Sequence, residues 1–173
     1  MDFTDLLESC RSELLAYCRH LVWRREDLDD ALQEVVLQAF KAFPRFSAGD
    51  FKRWLFQVAT NTVYNLNRKR RDAPVDSPEP AADMGIQLEL EEAYEAVLRD
   101  PQGALDRFGG SVREAVEKLS HNERAVFLLR SICDFKYQEI ASTLSIPIGS
   151  VMGHLARARS KLRRHLAERR HAM

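Results

Sequence analysis

Between Tyr137 and Leu166 the apolar residues keep a rhythm that only a pair of helices satisfies. Tyr137, Ile140, Ala141 and Leu144 fall at i, i+3, i+4 and i+7, one face of a short helix. Ser145-Ile146-Pro147 interrupts it, and Pro147 suits the first turn of a following helix, where its missing N–H is not needed. Ile148, Val151, Leu155, Ala158 and Leu162 then repeat at spacings of 3, 4, 3 and 4. Two short helices, a tight turn and a basic second helix form the helix-turn-helix arrangement that places its second helix in the major groove of DNA. Lys136 stands where Ser or Thr would cap the first of the two, a departure from good helix chemistry.

The side of the second helix opposite Val151 and Leu162 is centred on Gly149, Gly153, Ala156 and Ser160, all small. Arg157 and Arg164 border that strip, with Lys161 and His154 further round. Gly153 inside a helix costs about 0.5–1 kcal/mol against Ala. A strip of small residues lets the helix axis lie close to base edges, while flanking cations reach phosphates and guanines.

The rest of the chain reads as helical too. Apolar positions Phe3, Leu6, Leu7, Leu14, Leu15, Cys18 and Leu21 predict a helix over residues 3–22. A second helix is expected from Asp27 to Phe43, with Leu28, Ala31, Leu32, Val35, Val36, Ala39 and Phe40 buried and Pro44 ending it. A third, Phe51 to Arg71, turns Phe51, Leu55, Val58, Ala59, Thr62 and Leu66 inward. Pro74, Pro78 and Pro80 among scattered acids mark residues 73–85 as an extended linker, and residues 86–99 form at most an acidic helix. From Ser111 the pattern is helical again. The expected fold class is all-α: two small helical domains, residues 1–72 and 110–173, joined by an acidic linker over 73–109.

The formal net charge of zero hides a strong segregation. From Arg45 to Arg71 seven cations face one acid, Asp50; from Ser145 to Met173 seven cations face Glu168; between them, Asp72 to Asp100 sets nine acids against Arg99. Two basic regions flanking an acidic connector suit nucleic-acid contacts at both ends. Cys10, Cys18 and Cys133 are odd in number and without metal spacing, so they read as reduced thiols of a cytoplasmic protein, with no metal or other cofactor expected. Cys10, Cys18 and His20 are read as packing residues of one helix. No apolar run is long enough to span a bilayer and no signal peptide precedes the first helix, so no membrane insertion is expected. A phosphate loop, an ordered Ser/His/Asp set and a metal signature are all missing, which argues against an enzyme.

Two features of the first 71 residues point outward. Glu26, Asp27, Asp29, Asp30 and Glu34 are five acids within nine residues with no base among them, a docking face for a basic protein partner or, for the earliest of them, a match to the helix dipole. The third helix interleaves Phe51, Trp54, Phe56, Asn61, Tyr64, Asn65 and Asn67 and closes on Arg68-Lys69-Arg70-Arg71. Aromatics and amides beside cations suit single-stranded nucleic acid, whose bases stack on rings while phosphates meet positive charge.

These stretches resemble a known family, the bacterial RNA polymerase sigma factors of the sigma-70 type, extracytoplasmic function (ECF) group. Asp27-Leu-Asp-Asp-Ala-Leu-Gln-Glu-Val-Val36 is similar to its polymerase-docking helix, and Phe51-Lys-Arg-Trp-Leu-Phe-Gln-Val-Ala-Thr-Asn61 to the start of its promoter-melting helix. Leu119-Ser-His-Asn-Glu-Arg-Ala-Val-Phe-Leu-Leu129, Tyr137-Gln-Glu-Ile-Ala141, Ile146-Pro-Ile-Gly-Ser-Val151 and Ala156-Arg-Ala-Arg-Ser-Lys-Leu162 are similar to its C-terminal domain.

The resemblance implies a transcription initiation factor whose partners are core RNA polymerase, promoter DNA and an anti-sigma factor. Asp27, Asp30, Gln33 and Glu34 would dock on the polymerase. Arg45, Ser47, Lys52, Trp54, Asn61, Asn65 and Arg68 would hold the unpaired −10 element. Ser150, His154, Arg157, Arg159, Lys161 and Arg164 would read the −35 duplex. Where relatives often carry a basic-Ser-basic triplet, this chain has Met152-Gly153-His154. Two other readings remain at this point: a stand-alone dimeric helix-turn-helix regulator, which leaves the acidic and aromatic helices unexplained, and a mimic that only sequesters an anti-sigma factor, which has no need of the retained cations.

Overall fold

The computed structural model describes residues 2–47, 49–69 and 110–171. The expected linker over 73–109, its acidic helix and the cations Arg70 and Arg71 lie outside the described residues.

Three helices build the N-terminal half. α1 (Phe3–Leu21) starts where the Asp2 carboxylate accepts the Asp5 N–H at 2.9 Å. It buries Phe3, Cys10, Leu14, Tyr17, Cys18 and Leu21, while Leu6, Leu7 and Leu15 are half-buried. α2 (Leu28–Ala42) is entered through a 3-10 turn (Arg25–Asp27) and left through another (Phe43–Arg45) that contains Pro44. Its core stripe is Ala31, Val35 and Ala39, four residues apart. Phe40, expected on that face, is instead 62% exposed, because it lies one residue round the helix from the stripe; its ring meets that of Phe3 edge-on at 5.5 Å.

α3 (Phe51–Arg68) is capped by Asp50, whose carboxylate accepts the Arg53 N–H. Of the expected inward residues, Phe51, Leu55 and Ala59 are buried, and Val58, Thr62 and Leu66 only half so. A second stripe, Phe56, Thr60, Val63 and Asn67, is buried as well. Phe56 and Asn67 therefore leave the nucleic-acid group in which their residue types place them. Asn67 ties the end of α3 to the end of α1: its amide donates to the Leu21 carbonyl (3.2 Å) and its oxygen accepts the Trp23 N–H (3.3 Å). The Thr60 hydroxyl donates to the Phe56 carbonyl (2.6 Å), which leaves the buried Tyr17 hydroxyl to donate to Thr60 at 2.7 Å.

The C-terminal half comprises α4 (Gly110–Glu117), α5 (His121–Ser131), α6 (Tyr137–Leu144) and α7 (Ile148–His171). α5, capped by the Ser120 hydroxyl, is buried almost all round, and α7 is the axis on which α4, α5 and α6 all pack. α6 has no side-chain cap at Lys136, as its sequence indicates, and ends at Ser145 in the left-handed conformation (φ 54°). That residue reverses the chain and sends the Ile146 N–H back to the Ala141 carbonyl at 3.1 Å. α7 buries Val151, Leu155, Ala158 and Leu162; Ile148, expected with them, is 38% exposed at the edge of the face. Within it, Lys161 pairs with Glu123 of α5 at 2.8 Å, with the two side chains 15% and 1% exposed.

The halves pack against each other along a seam of α1 and α3 with α5 and α6. Phe56 touches Tyr17 (5.2 Å between ring centroids) and, across the seam, Phe135 (5.8 Å). Tyr64 meets His121 edge-on at 4.9 Å. Arg124 of α5 donates to the carbonyls of His20, in the last turn of α1, and Val22, just beyond it.

Candidate nucleic-acid interfaces

Three surfaces collect the residues singled out in the sequence. The first is the outer side of α7. Gly149 has open space where a side chain would stand. At Gly153 an added Cβ would meet the Arg157 guanidinium at 3.4 Å, because Arg157 lies back along the helix and hydrogen-bonds Nδ1 of His154 (3.0 Å). Ser150, His154, Arg157 and Arg164 share one flank of the strip, whereas Arg159 lies on the other side of the helix. Lys161, spaced to join the first flank, is engaged inward by Glu123. Met152, half exposed, adds an apolar group to the surface.

The second is a cleft of about 330 Å³ at the start of α3, lined by Arg45, Phe46, Ser47, Gly49, Asp50, Arg53, Trp54 and Gln57 from the N-terminal half and by Ser142 and Thr143 of α6. Phe46 and Trp54, 5.1 Å apart, form its aromatic wall, backed by Phe43 (6.0 Å from Phe46 and nearly parallel to it) and by the buried Phe51 (5.5 Å from Trp54). Asp50 holds Arg53 in place (3.1 Å), so Arg45 is the cation whose partner is left to a ligand or solvent.

The structure thus divides the residues expected at the −10 element. Arg45, Ser47 and Trp54 meet in this cleft. Asn61 and Asn65 open instead into a groove of about 660 Å³ between α2 and α3, shared with Asp30, Glu34, Gln38 and Lys69. Lys52 is on a third flank, paired with Glu13 and 5.5 Å above the Phe135 ring. Burial works to lower its pKa, but the Glu13 hydrogen bond and charge outweigh that and the net shift is upward. Arg68 is exposed near the end of α3. No helical periodicity marks Phe43 and Phe46 as members of this cluster, although Phe43, Phe46, Phe51 and Trp54 are four rings within twelve residues, too many for one helix face.

The third surface is the outer face of α2. Asp30, Gln33 and Glu34 are exposed there, next to the exposed apolar side chains of Leu37 and Phe40. Asp27 is buried at the base of the helix.

Residues 6–73 match sigma-70 region 2 and residues 110–162 match sigma-70 region 4. The chain is 34% identical to the ECF RNA polymerase sigma factor SigG of Mycobacterium tuberculosis over 93% of its own length, and spans 48% of that longer relative. It is 31% identical to the RNA polymerase sigma factor HrpL of Pseudomonas syringae pv. syringae, over 88% of this chain and 80% of that one. Its fold is similar to that of the sigma factor RpoE of Bartonella quintana, solved in complex with the anti-sigma factor NepR: TM-score 0.69 at 22% identity, covering 96% and 97% of the two chains. With both signature regions in order and a relative matched over most of its length, the chain belongs to the sigma-70 family of RNA polymerase sigma factors, in its ECF group.

Proposed function

We propose that the protein is a promoter-specificity factor that binds core RNA polymerase through the outer face of α2, captures an unpaired base of the −10 element in the Phe46–Trp54 cleft, and reads the −35 duplex with α7. It has no catalysis of its own in this reading and acts in the cytoplasm, its residues 1–72 and 110–173 serving as separate promoter-binding domains. The observation that carries the reading is the pairing, in one chain, of an aromatic recess next to an exposed arginine with a groove-sized helix bared by small residues. The first matches the π-face and phosphate of a single strand, the second the edges and phosphates of a duplex. Unstacking a base costs a few kcal/mol, so a wall of rings already in contact with one another favours capture. Because RpoE was solved with an anti-sigma factor, an anti-sigma partner is proposed here too.

The test is transcription with purified core polymerase on a library of promoter-bearing templates. Initiation from a defined subset, abolished with Trp54→Ala and with Asp30→Arg, is the expected result. A chain that neither binds core nor directs any initiation, yet captures an anti-sigma factor, would be a mimic instead.

A further inference from the structure

One cation on the outer side of α7 is held in an unusual way. The Arg157 guanidinium folds back toward the start of the helix, as long side chains on helices do, and lies over Gly153, one turn nearer the end that meets base edges. A Cβ at Gly153 would stand 3.4 Å from its Nη1, 3.8 Å from its Nη2 and 3.9 Å from its Cζ. Distances so similar mean that the plane of the group lies across the glycine rather than pointing at it. His154 fixes it there, with Nδ1 at 3.0 Å from Nη2 of Arg157. Arginine only donates, so Nδ1 accepts; the imidazole proton is then on Nε2 and the ring is neutral.

Neutrality separates this pair from other fixed cations of the molecule. Arg53 is held by Asp50 (3.1 Å), Arg130 by Asp134 (2.9 Å) and Lys161 by Glu123 (2.8 Å), and in each case the carboxylate cancels the charge that it positions. Among the described residues no carboxylate pairs with Arg157. An imidazole restrains the guanidinium and leaves its charge intact, and it brings no negative charge toward phosphates. One N–H of five is spent on His154; the four that remain suffice for two parallel bonds to O6 and N7 of a guanine. A side chain fixed before contact loses less rotamer entropy on binding. It also cannot swing to a neighbouring acceptor when another base stands at the seat, so fixing it sharpens discrimination.

We propose that His154 is a positioning residue for Arg157: a neutral tether that fixes the guanidinium over Gly153, so that α7 selects guanine at the one base pair facing that seat. His154 acts through Arg157 and does not itself read a base. The proposal rests on α7 being the duplex-reading helix.

The test uses the full chain with core polymerase and a library of duplexes randomised over the −35 region; sequencing the bound DNA gives the base preference at each position. The unaltered protein is expected to prefer guanine by about tenfold at one position, and Arg157→Ala to erase that preference. His154→Ala is expected to reduce it to about threefold or less at that position alone. His154→Asn, whose Oδ1 stands near the place of Nδ1, is expected to keep it. In the Arg157→Ala background, His154→Ala is expected to add nothing. A guanine preference untouched by His154→Ala overturns the proposal, as does an equal loss with His154→Asn. An effect of His154→Ala that persists without Arg157 overturns it too, by making His154 a reader in its own right. A loss spread evenly over all sequences does the same, by putting Arg157 on a phosphate. Preferences that respond to Arg164→Ala but not to Arg157→Ala overturn the proposal and leave the role of α7 standing. If neither substitution alters any preference, it is the assignment of α7 as the duplex reader that falls.

Discussion

The two halves offer candidate nucleic-acid surfaces of opposite kind. The N-terminal half presents a recess walled by Phe46 and Trp54, with the buried Phe51 packed behind Trp54 and the cation Arg45 in the lining. The C-terminal half presents a convex helix whose centre is empty at Gly149 and spanned at Gly153 by Arg157. An unpaired base shows a π-face, which rings recognise whatever the sequence; a duplex shows only edges and phosphates, which need a close helix axis and placed donors. The interiors differ as well. The N-terminal half keeps its ion pair Lys52–Glu13 partly in solvent, whereas the C-terminal half buries Lys161–Glu123 in its core. Charge in the first half is tuned to the surface, and in the second part of it is spent on the fold.

The largest expected effect tests that last contrast. Glu123→Ala strands Lys161 in the core and should cost about 3–5 kcal/mol of stability in denaturant unfolding, while Glu13→Ala should cost under about 1 kcal/mol. Similar costs for both would return Lys161 to the DNA-facing set.

Next comes acid sensitivity of the seam. Burial first, then the charges of Arg19, Arg124 and Arg25, push the His20 pKa down from 6.5 to about 4. The unfolded chain therefore binds a proton that the folded chain refuses between those values. The corresponding stability is complete above about pH 6.5 and is lost as pH falls toward 4, by up to about 3 kcal/mol. His20→Gln should flatten the fall in thermal midpoint over that window; an unchanged slope would place the titration elsewhere.

The recognition surfaces should each yield about 1–3 kcal/mol. Trp54→Ala should weaken single-strand binding by the holoenzyme similarly for all bases and nearly independently of salt. Arg157→Ala should act on duplex binding and relax discrimination at one base pair. If its loss is instead uniform over sequences and reduces the salt slope, Arg157 grips a phosphate. The smallest effect has the opposite sign. Gly153→Ala should stabilise α7 by about 0.5–1 kcal/mol while its methyl, in van der Waals contact with the Arg157 guanidinium, narrows that side chain's freedom, so that the thermal midpoint rises as base discrimination falls. Unaltered discrimination would mean that the seat over Gly153 plays no part in reading.

Helix positions were legible because they depend on local chemistry. Capping carboxylates at Asp2 and Asp50, the prolines and the repeat at Val151, Leu155, Ala158 and Leu162 act within a few residues of themselves. The same locality made Asp30, Gln33 and Glu34 on α2 and Gly149 and Ala156 on α7 legible as exposed positions, since such a position has no distant partner to reassign it. Periodicity fails where a helix is buried on more than one side. Phe56, Thr60, Val63 and Asn67 form a second core stripe on α3 only because α1 and the C-terminal half both close over it. Lys161 reads as a DNA-facing cation until Glu123, 38 positions away, claims it. Arg124 reads as one charge among many until it meets the end of α1, more than 100 positions upstream. Local sequence settles which residues lie on a helix and which face they share; which face is covered, and by what, is settled by long-range packing, because burial is a property of two surfaces and each sequence segment carries only one of them.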